Sequence, residues 1–194
     1  IVSGAINNTF IGHQVSDAVM TNAADYNVGL GFNSLSGLTS GAMNTALGSN
    51  TLLGNLSGGS NVAIGVGAMA TPTTASSNIA IGQESMADIQ TGQAITGCVA
   101  VGFEAFKGAG GTTTGANYSV AVGHSALKSL TTGAQNTAVG YTALTGLVTG
   151  TGNTAVGYHA AQALGNAEQY NTSVGFGSMR DFDEGTGGSD INDN

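Results

Sequence analysis

One short motif returns along the whole chain: a polar residue, a strand-forming residue, a small residue, a branched aliphatic residue and a glycine. Aligned on that glycine, ten copies have pivots at Gly12, Gly31, Gly48, Gly65, Gly82, Gly102, Gly123, Gly140, Gly157 and Gly175, separated by 19, 17, 17, 17, 20, 21, 17, 17 and 18 residues. With the glycine as position five, position one is Asn in eight copies, Cys98 and Ser119 being the exceptions. Position four is Ile, Leu or Val in all ten. Position nine is apolar in most copies (Leu35, Leu52, Met69, Met86, Phe106, Leu127, Leu144, Met179), and position twelve is often apolar too (Leu38, Ile89, Leu130, Leu147, Leu164). A glycine lies near position fifteen in several units, as at Gly41, Gly58, Gly92, Gly133 and Gly150. A constant period with insertions confined to one part of the unit predicts a solenoid or stacked array. The extra residues fall in "QTGQAITG" and "GAGGTTTGANY", so loops grow at one corner.

A unit of 17 residues with several glycines is too short for two helices and a turn, since helical repeats run to about 33 residues or more. Glycine inside each apolar run also opposes helix. "TAVGY" reads as a short strand of β-branched and small residues, and "ALTGL" as a second, weaker one. The predicted fold is therefore all-β: a parallel β-roll or β-solenoid of about ten 17-residue coils over residues 1–180. At the interstrand spacing, ten coils give a rod of about 45–50 Å. The Asn column suits a corner, because Asn tolerates left-handed backbone and stacked amides can bond from coil to coil.

Alternate strand residues face opposite ways. If position four faces the interior, position three faces outward, and it reads Phe10, Gly29, Ala46, Ala63, Ala80, Ala100, Ala121, Ala138, Ala155 and Ser173, without one charge. Strands apolar on both sides are buried on both sides. Ala46, Ala63, Ala80, Ala100, Ala121, Ala138 and Ala155 are thus the expected contact with further copies of the chain. The faces could also be swapped, with Ala inside and Val/Ile outside; one face of the coil still packs on another chain.

Composition narrows the classes. Charged residues make up 7%, far below the roughly 25% of ordinary soluble domains. The net charge of −8, with Lys107, Lys128 and Arg180 the only fixed cations, argues against nucleic acid as a partner. No apolar run approaches the roughly 20 residues of a membrane helix, so no membrane insertion is expected. Thirty-three Gly with one Pro exclude collagen. Cys98 is alone, so no intrachain disulfide can form. With no initiator Met or signal peptide, the chain reads as a processed product or an excerpt of something longer.

Candidate chemistry is sparse, and no catalytic residue, cofactor or metal site is assigned. His13, His124 and His159 recur near the position after the pivot glycine, where other copies have Phe32, Phe103, Tyr141, Tyr158 and Phe176. They read as members of a planar side-chain column. Glu84 and Glu104 share position seven on adjacent coils, with Asp88 nearby, and read as a solvated face rather than a glycosidase pair. Cys98 reads as a buried, inert thiol. The tail 181–194, "DFDEGTGGSDINDN", carries five of the eleven acids and reads as a solvated end or linker, since its spacing fits neither an EF-hand nor a calcium roll.

"NVAIG", "NIAIG" and the "NTAVG" blocks followed by "xAL" resemble head repeats of trimeric autotransporter adhesins. The longer form "NTAVGYTALTGLVTG" is still more similar to repeat regions of bacteriophage tail fibres and tail spikes. The resemblance spans about residues 8–179 and implies a left-handed β-roll with three parallel chains side by side. It departs from the adhesins in having no charged heptads of a neck and no anchor. It implies a rigid homotrimeric rod on a virion tail surface or at the cell surface, mediating attachment to a host or target-cell glycan or protein. The head of a bacterial trimeric adhesin is the alternative. An ice- or surface-binding solenoid is a third reading, poorly matched because position two mixes Thr45 with Val62, Ile79 and Val99. Binding on solenoids concentrates on insertions, so the long corners 90–97 and 108–118 supply the expected receptor contacts: Gln93, Thr96, Thr112, Thr113, Thr114, Asn117 and Tyr118.

Overall fold

The structure is a computed structural model and describes residues 5–71, 74–89, 95–110, 115–165 and 167–180. Each repeat contributes one strand: β1 (Thr9–Ile11), β2 (Val28–Leu30), β3 (Thr45–Leu47), β4 (Val62–Ile64), β5 (Ile79–Ile81), β6 (Val99–Val101), β7 (Val120–Val122), β8 (Thr137–Val139), β9 (Thr154–Val156) and β10 (Thr172–Val174). They form a single parallel sheet in chain order. The register never slips: Ala63 sits opposite Ala46 and Ala80, and Ala138 opposite Ala121 and Ala155. The chain is a β-solenoid of about nine turns, with no helix among the described residues. Nine steps at the interstrand spacing give a length of roughly 43 Å.

The expected second strand is absent among the described residues. "ALTGL" and its counterparts form turns, with left-handed backbone at positions seven and nine of each coil, as at Asn50 (φ 56°) and Leu52 (φ 47°) or Glu104 (φ 52°) and Phe106 (φ 46°). Such angles are costly for bulky residues and persist only where surrounding contacts over-determine them. Here both kinds of contact are present. From Leu35 to Leu144 the position-nine side chains are fully buried, and the turn amides still bond to adjacent coils, Leu52 N–H donating to Ala68 O at 3.1 Å and Gly54 N–H to Ala70 O at 2.8 Å.

The two strand faces are swapped relative to the expected assignment. Ala46, Ala63, Ala80, Ala100, Ala121, Ala138 and Ala155 are completely buried and point into the coil, while positions two and four face outward. The reason is volume. Leu35, Leu52, Met69, Met86, Phe106, Leu127 and Leu144 already fill the narrow interior from the turn side, leaving space for a methyl on the strand side. The first coils show the exchange directly. There Phe10 occupies the strand position, Ser16 replaces the large turn residue, and a Cβ on Gly29 would lie 3.1 Å from the Phe10 ring.

The glycine at position five is required twice over. Its φ is near +130° throughout, and a Cβ on Gly140 would stand 2.2 Å from the carbonyl oxygen of Gly157 in the next coil. The Asn column forms the predicted ladder. The left-handed residue at that corner, however, is the one before it, such as Tyr26, Met43 or Gln135. Asn61 shows the pattern: its N–H and Nδ2 donate to Asn44 Oδ1 (3.1 and 3.0 Å), and Nδ2 also donates to Ala75 O (2.7 Å). Its own Oδ1 accepts from Asn78 N–H and Nδ2 at 3.1 and 3.2 Å. Every polar atom of the buried amide is used, which removes the desolvation penalty a buried Asn would otherwise carry.

Candidate functional site

Because the strand alternates, positions two and four share the outer side of the sheet. Positions two and four make two adjacent columns that run the length of the rod. Position four is Ile, Leu or Val ten times, and position two is Thr five times and Val or Ile five times. None of these residues is charged, and Val28, Leu30, Ile79, Ile81, Val156 and Val174 are all exposed. Sequence reasoning placed the sticky stripe on the opposite side of the strand. The signal that could have found it was the size of position nine, which leaves no space inside for a second large residue.

Position six adds an aromatic column beside this face. Phe103, His124, Tyr141, Tyr158 and Phe176 follow one another at ring-centroid separations of 5.0, 5.1, 5.0 and 5.2 Å, and His13 stacks on Phe32 at 5.6 Å. The planar-column expectation thus describes His13 and His124. It does not describe His159, which sits at position seven, edge-on to Tyr158 at 4.1 Å, with Nδ1 paired to the Thr142 hydroxyl at 2.6 Å.

Glu84 and Glu104 are brought together as the spacing implied, but a cation sits between them. Lys107 Nζ lies 2.7 Å from Glu84 Oε2, 3.0 Å from Glu104 Oε1 and 3.8 Å from Asp88, and Lys128 Nζ lies 2.6 Å from Glu104 Oε2. The hydrogen bond from Lys128 is the main reason the Glu104 carboxyl is held below its ordinary range. Glu84, in turn, is the main reason the Lys107 ammonium is held above its own. A carboxylate clamped as an ion-pair acceptor is poorly suited to act as a general acid.

This cluster gives a pH prediction. A depressed carboxyl pKa adds stability that is present above the unfolded value of about 4.3 and is lost as pH falls through the lower folded value. Replacing Glu104, whose side chain is only 14% exposed, with Gln should cost about 1 kcal/mol near neutral pH. The gap in thermal midpoint between wild type and Glu104→Gln, followed by circular dichroism, should close as pH falls below the unfolded carboxyl value of about 4.3. A gap that persists in acid would mean packing, not charge, accounts for the loss. Lys107 acts at the other end, its share being lost only above the ordinary lysine range.

Cys98 and Ser119 interrupt the amide ladder where the two long units lie. Cys98 N–H still donates to Asn78 Oδ1 at 2.9 Å, its Sγ lies 3.2 Å from Ala116 O, and Asn136 N–H donates to Ser119 Oγ at 3.2 Å. Burial pushes the thiol pKa up, against the smaller pull of the Ser119 and Tyr118 N–H groups, as expected for an unreactive thiol.

Of the expected receptor contacts, Gln93, Thr112, Thr113 and Thr114 lie outside the described residues, as does the acidic tail 181–194. The other three meet at one corner. Thr96 N–H donates to Asn117 Oδ1 at 2.8 Å, and Tyr118 N–H donates to Thr96 O at 3.0 Å. No protein-family model, curated protein or solved structure matches this chain.

Proposed function

We propose that the chain is a structural and receptor-binding segment of a bacteriophage tail fibre or spike, a rigid, left-handed and parallel homotrimeric rod that mediates attachment to a host surface. The observation that carries this reading is the pair of outward-facing, uncharged columns at positions two and four, exposed or half-buried and unbroken over ten coils. A solvated face of that length would carry Lys, Glu or Asp; a face buried against copies of itself would not. Covering it favours association at roughly 25 cal/mol per Å² of apolar area, set against the entropic cost of assembly. Parallel chains keep every unit beside its own counterpart, and closed cyclic symmetry covers the stripe without an open filament. Three chains, the left hand and the virion-tail or cell-surface location follow the resemblance of the "NTAVGYTALTGLVTG" units. The head of a bacterial trimeric adhesin is the second reading, supported by "NVAIG" and "NIAIG", and a downstream charged-heptad neck would select it.

The test is light scattering on wild type and on Val122→Arg with Val139→Arg, both at half-buried outward positions. Wild type should have the mass of three chains. The double variant should stay β-rich by circular dichroism but fall to single chains or precipitate. A monomeric wild type, or a double variant that still forms equally heat-stable trimers, would refute the assembly.

A further inference from the structure

The corner residue just before the Asn ladder is left-handed in every coil, yet it need not be glycine: Tyr26, Met43, Ser60, Ser77 and Gln135 all hold φ between 58° and 62° there. Gly97 and Gly152 occupy the same column at φ 69° and 72°, so backbone strain does not account for them. What does is the ring of the next coil. A Cβ on Gly97 would lie 2.7 Å from Tyr118 Cδ1 and 3.0 Å from Cε1, and a Cβ on Gly152 would meet Tyr170 at the same two distances. Each tyrosine leans back over the preceding coil and fills the space its glycine leaves. The device occurs twice, and in neither case does it bury the ring: Tyr118 remains 63% exposed and Tyr170 54%.

We propose that Tyr118 and Tyr170 are paired stacking subsites for an extended, uncharged polysaccharide lying along this corner of the rod. The inference deepens the surface-attachment reading and rests on it. A ring packed on one side against the preceding coil has fewer rotamers open to it, so a ligand meets a partly ordered surface and the ordering cost of binding falls. The backbone bonds Tyr118 N–H to Thr96 O, Gln135 N–H to Asn117 O, Gly152 N–H to Ala134 O and Tyr170 N–H to Thr151 O, each 2.9–3.0 Å, keep the two rings in one column. They stand three coils apart, about 14 Å at the interstrand spacing, the span of a short oligosaccharide. Tyrosine offers an apolar face for sugar C–H groups and a hydroxyl for their oxygens. Gln135, exposed between the rings, supplies an amide, and Thr96, Asn117 and Thr151 supply further uncharged polar groups. A chain of net charge −8 repels polyanions, which selects an uncharged polymer.

The experiment uses the assembled protein with maltohexaose, cellohexaose and laminarihexaose as probes, heparin oligosaccharide as the polyanionic contrast and a peptide mixture as the protein-like contrast. Binding is read by tyrosine fluorescence and saturation-transfer NMR. At least one uncharged hexaose should bind, and Tyr118→Ala or Tyr170→Ala should each weaken it about tenfold or more. Gly97→Ala and Gly152→Ala, which unseat a ring without removing it, should weaken binding in part, and Tyr26→Ala should leave it unchanged. The proposal is overturned if no uncharged hexaose binds, if heparin or the peptides bind better, or if the tyrosine variants bind like wild type. Light scattering on each sample reports assembly separately. An unassembled wild type that still binds through Tyr118 and Tyr170 refutes the trimer and leaves the subsites standing.

Discussion

Ala121→Arg is expected to prevent the chain from folding. Its methyl is completely buried in β7, in the same core cluster as Phe106 and Leu127. Overpacking alone typically costs 1–3 kcal/mol. An unpaired buried guanidinium adds a larger desolvation penalty, which takes the total past about 4–5 kcal/mol. Against a whole-domain stability of about 5–15 kcal/mol, and with the distortion passed to register partners Ala100 and Ala138, little folded protein should remain. Far-UV circular dichroism and protease resistance are the measurements. The neighbouring Val122 faces outward, so arginine there should leave the coil folded and disturb only assembly. Opposite outcomes at adjacent residues are the signature of a strand with one interior and one exterior face. An Ala121→Arg protein that folds and assembles like wild type would show that the faces are assigned the wrong way round.

Asn61→Ala should be strongly destabilising although it only shortens a side chain and adds no bulk. It removes the acceptor of Asn78 N–H and the donor that reaches Ala75 O, and takes a partner from Asn44 Oδ1. All lie in fully buried surroundings, where each unsatisfied polar group costs roughly 1–3 kcal/mol, so the sum is about 3–5 kcal/mol. Asn61→Asp separates shape from hydrogen bonding: it keeps an acceptor but cannot donate to Ala75 O, and it buries a charge. It should be at least as destabilised as the alanine variant. Denaturant unfolding of the three proteins decides the matter, and a loss below about 1 kcal/mol for Asn61→Ala would reduce the ladder to an incidental stack.

Much of this architecture was legible in the chain because a repeat reports the same constraint ten times. The pivot glycines, the Asn column and the invariant aliphatic at position four set the period, the parallel register and the solenoid. They also placed stacked amides at one corner and predicted that an apolar stripe would need covering. Those conclusions depend only on spacing and residue type. The direction of that stripe is a different kind of fact. Alternation says that neighbours face opposite ways, but not which of them faces in, and both Ala and Val are apolar. Only the packed coil decides, because large residues at position nine enter from the far side and exhaust the space. The absent second strand has the same origin, since left-handed backbone at Leu52 or Phe106 contradicts local preference and is held only by the buried side chain and its neighbours. Likewise, nothing in the spacing put Lys107 between Glu84 and Glu104 or seated Tyr118 on Gly97. Those contacts arise from side chains meeting between coils, across distances along the chain that a local pattern does not encode.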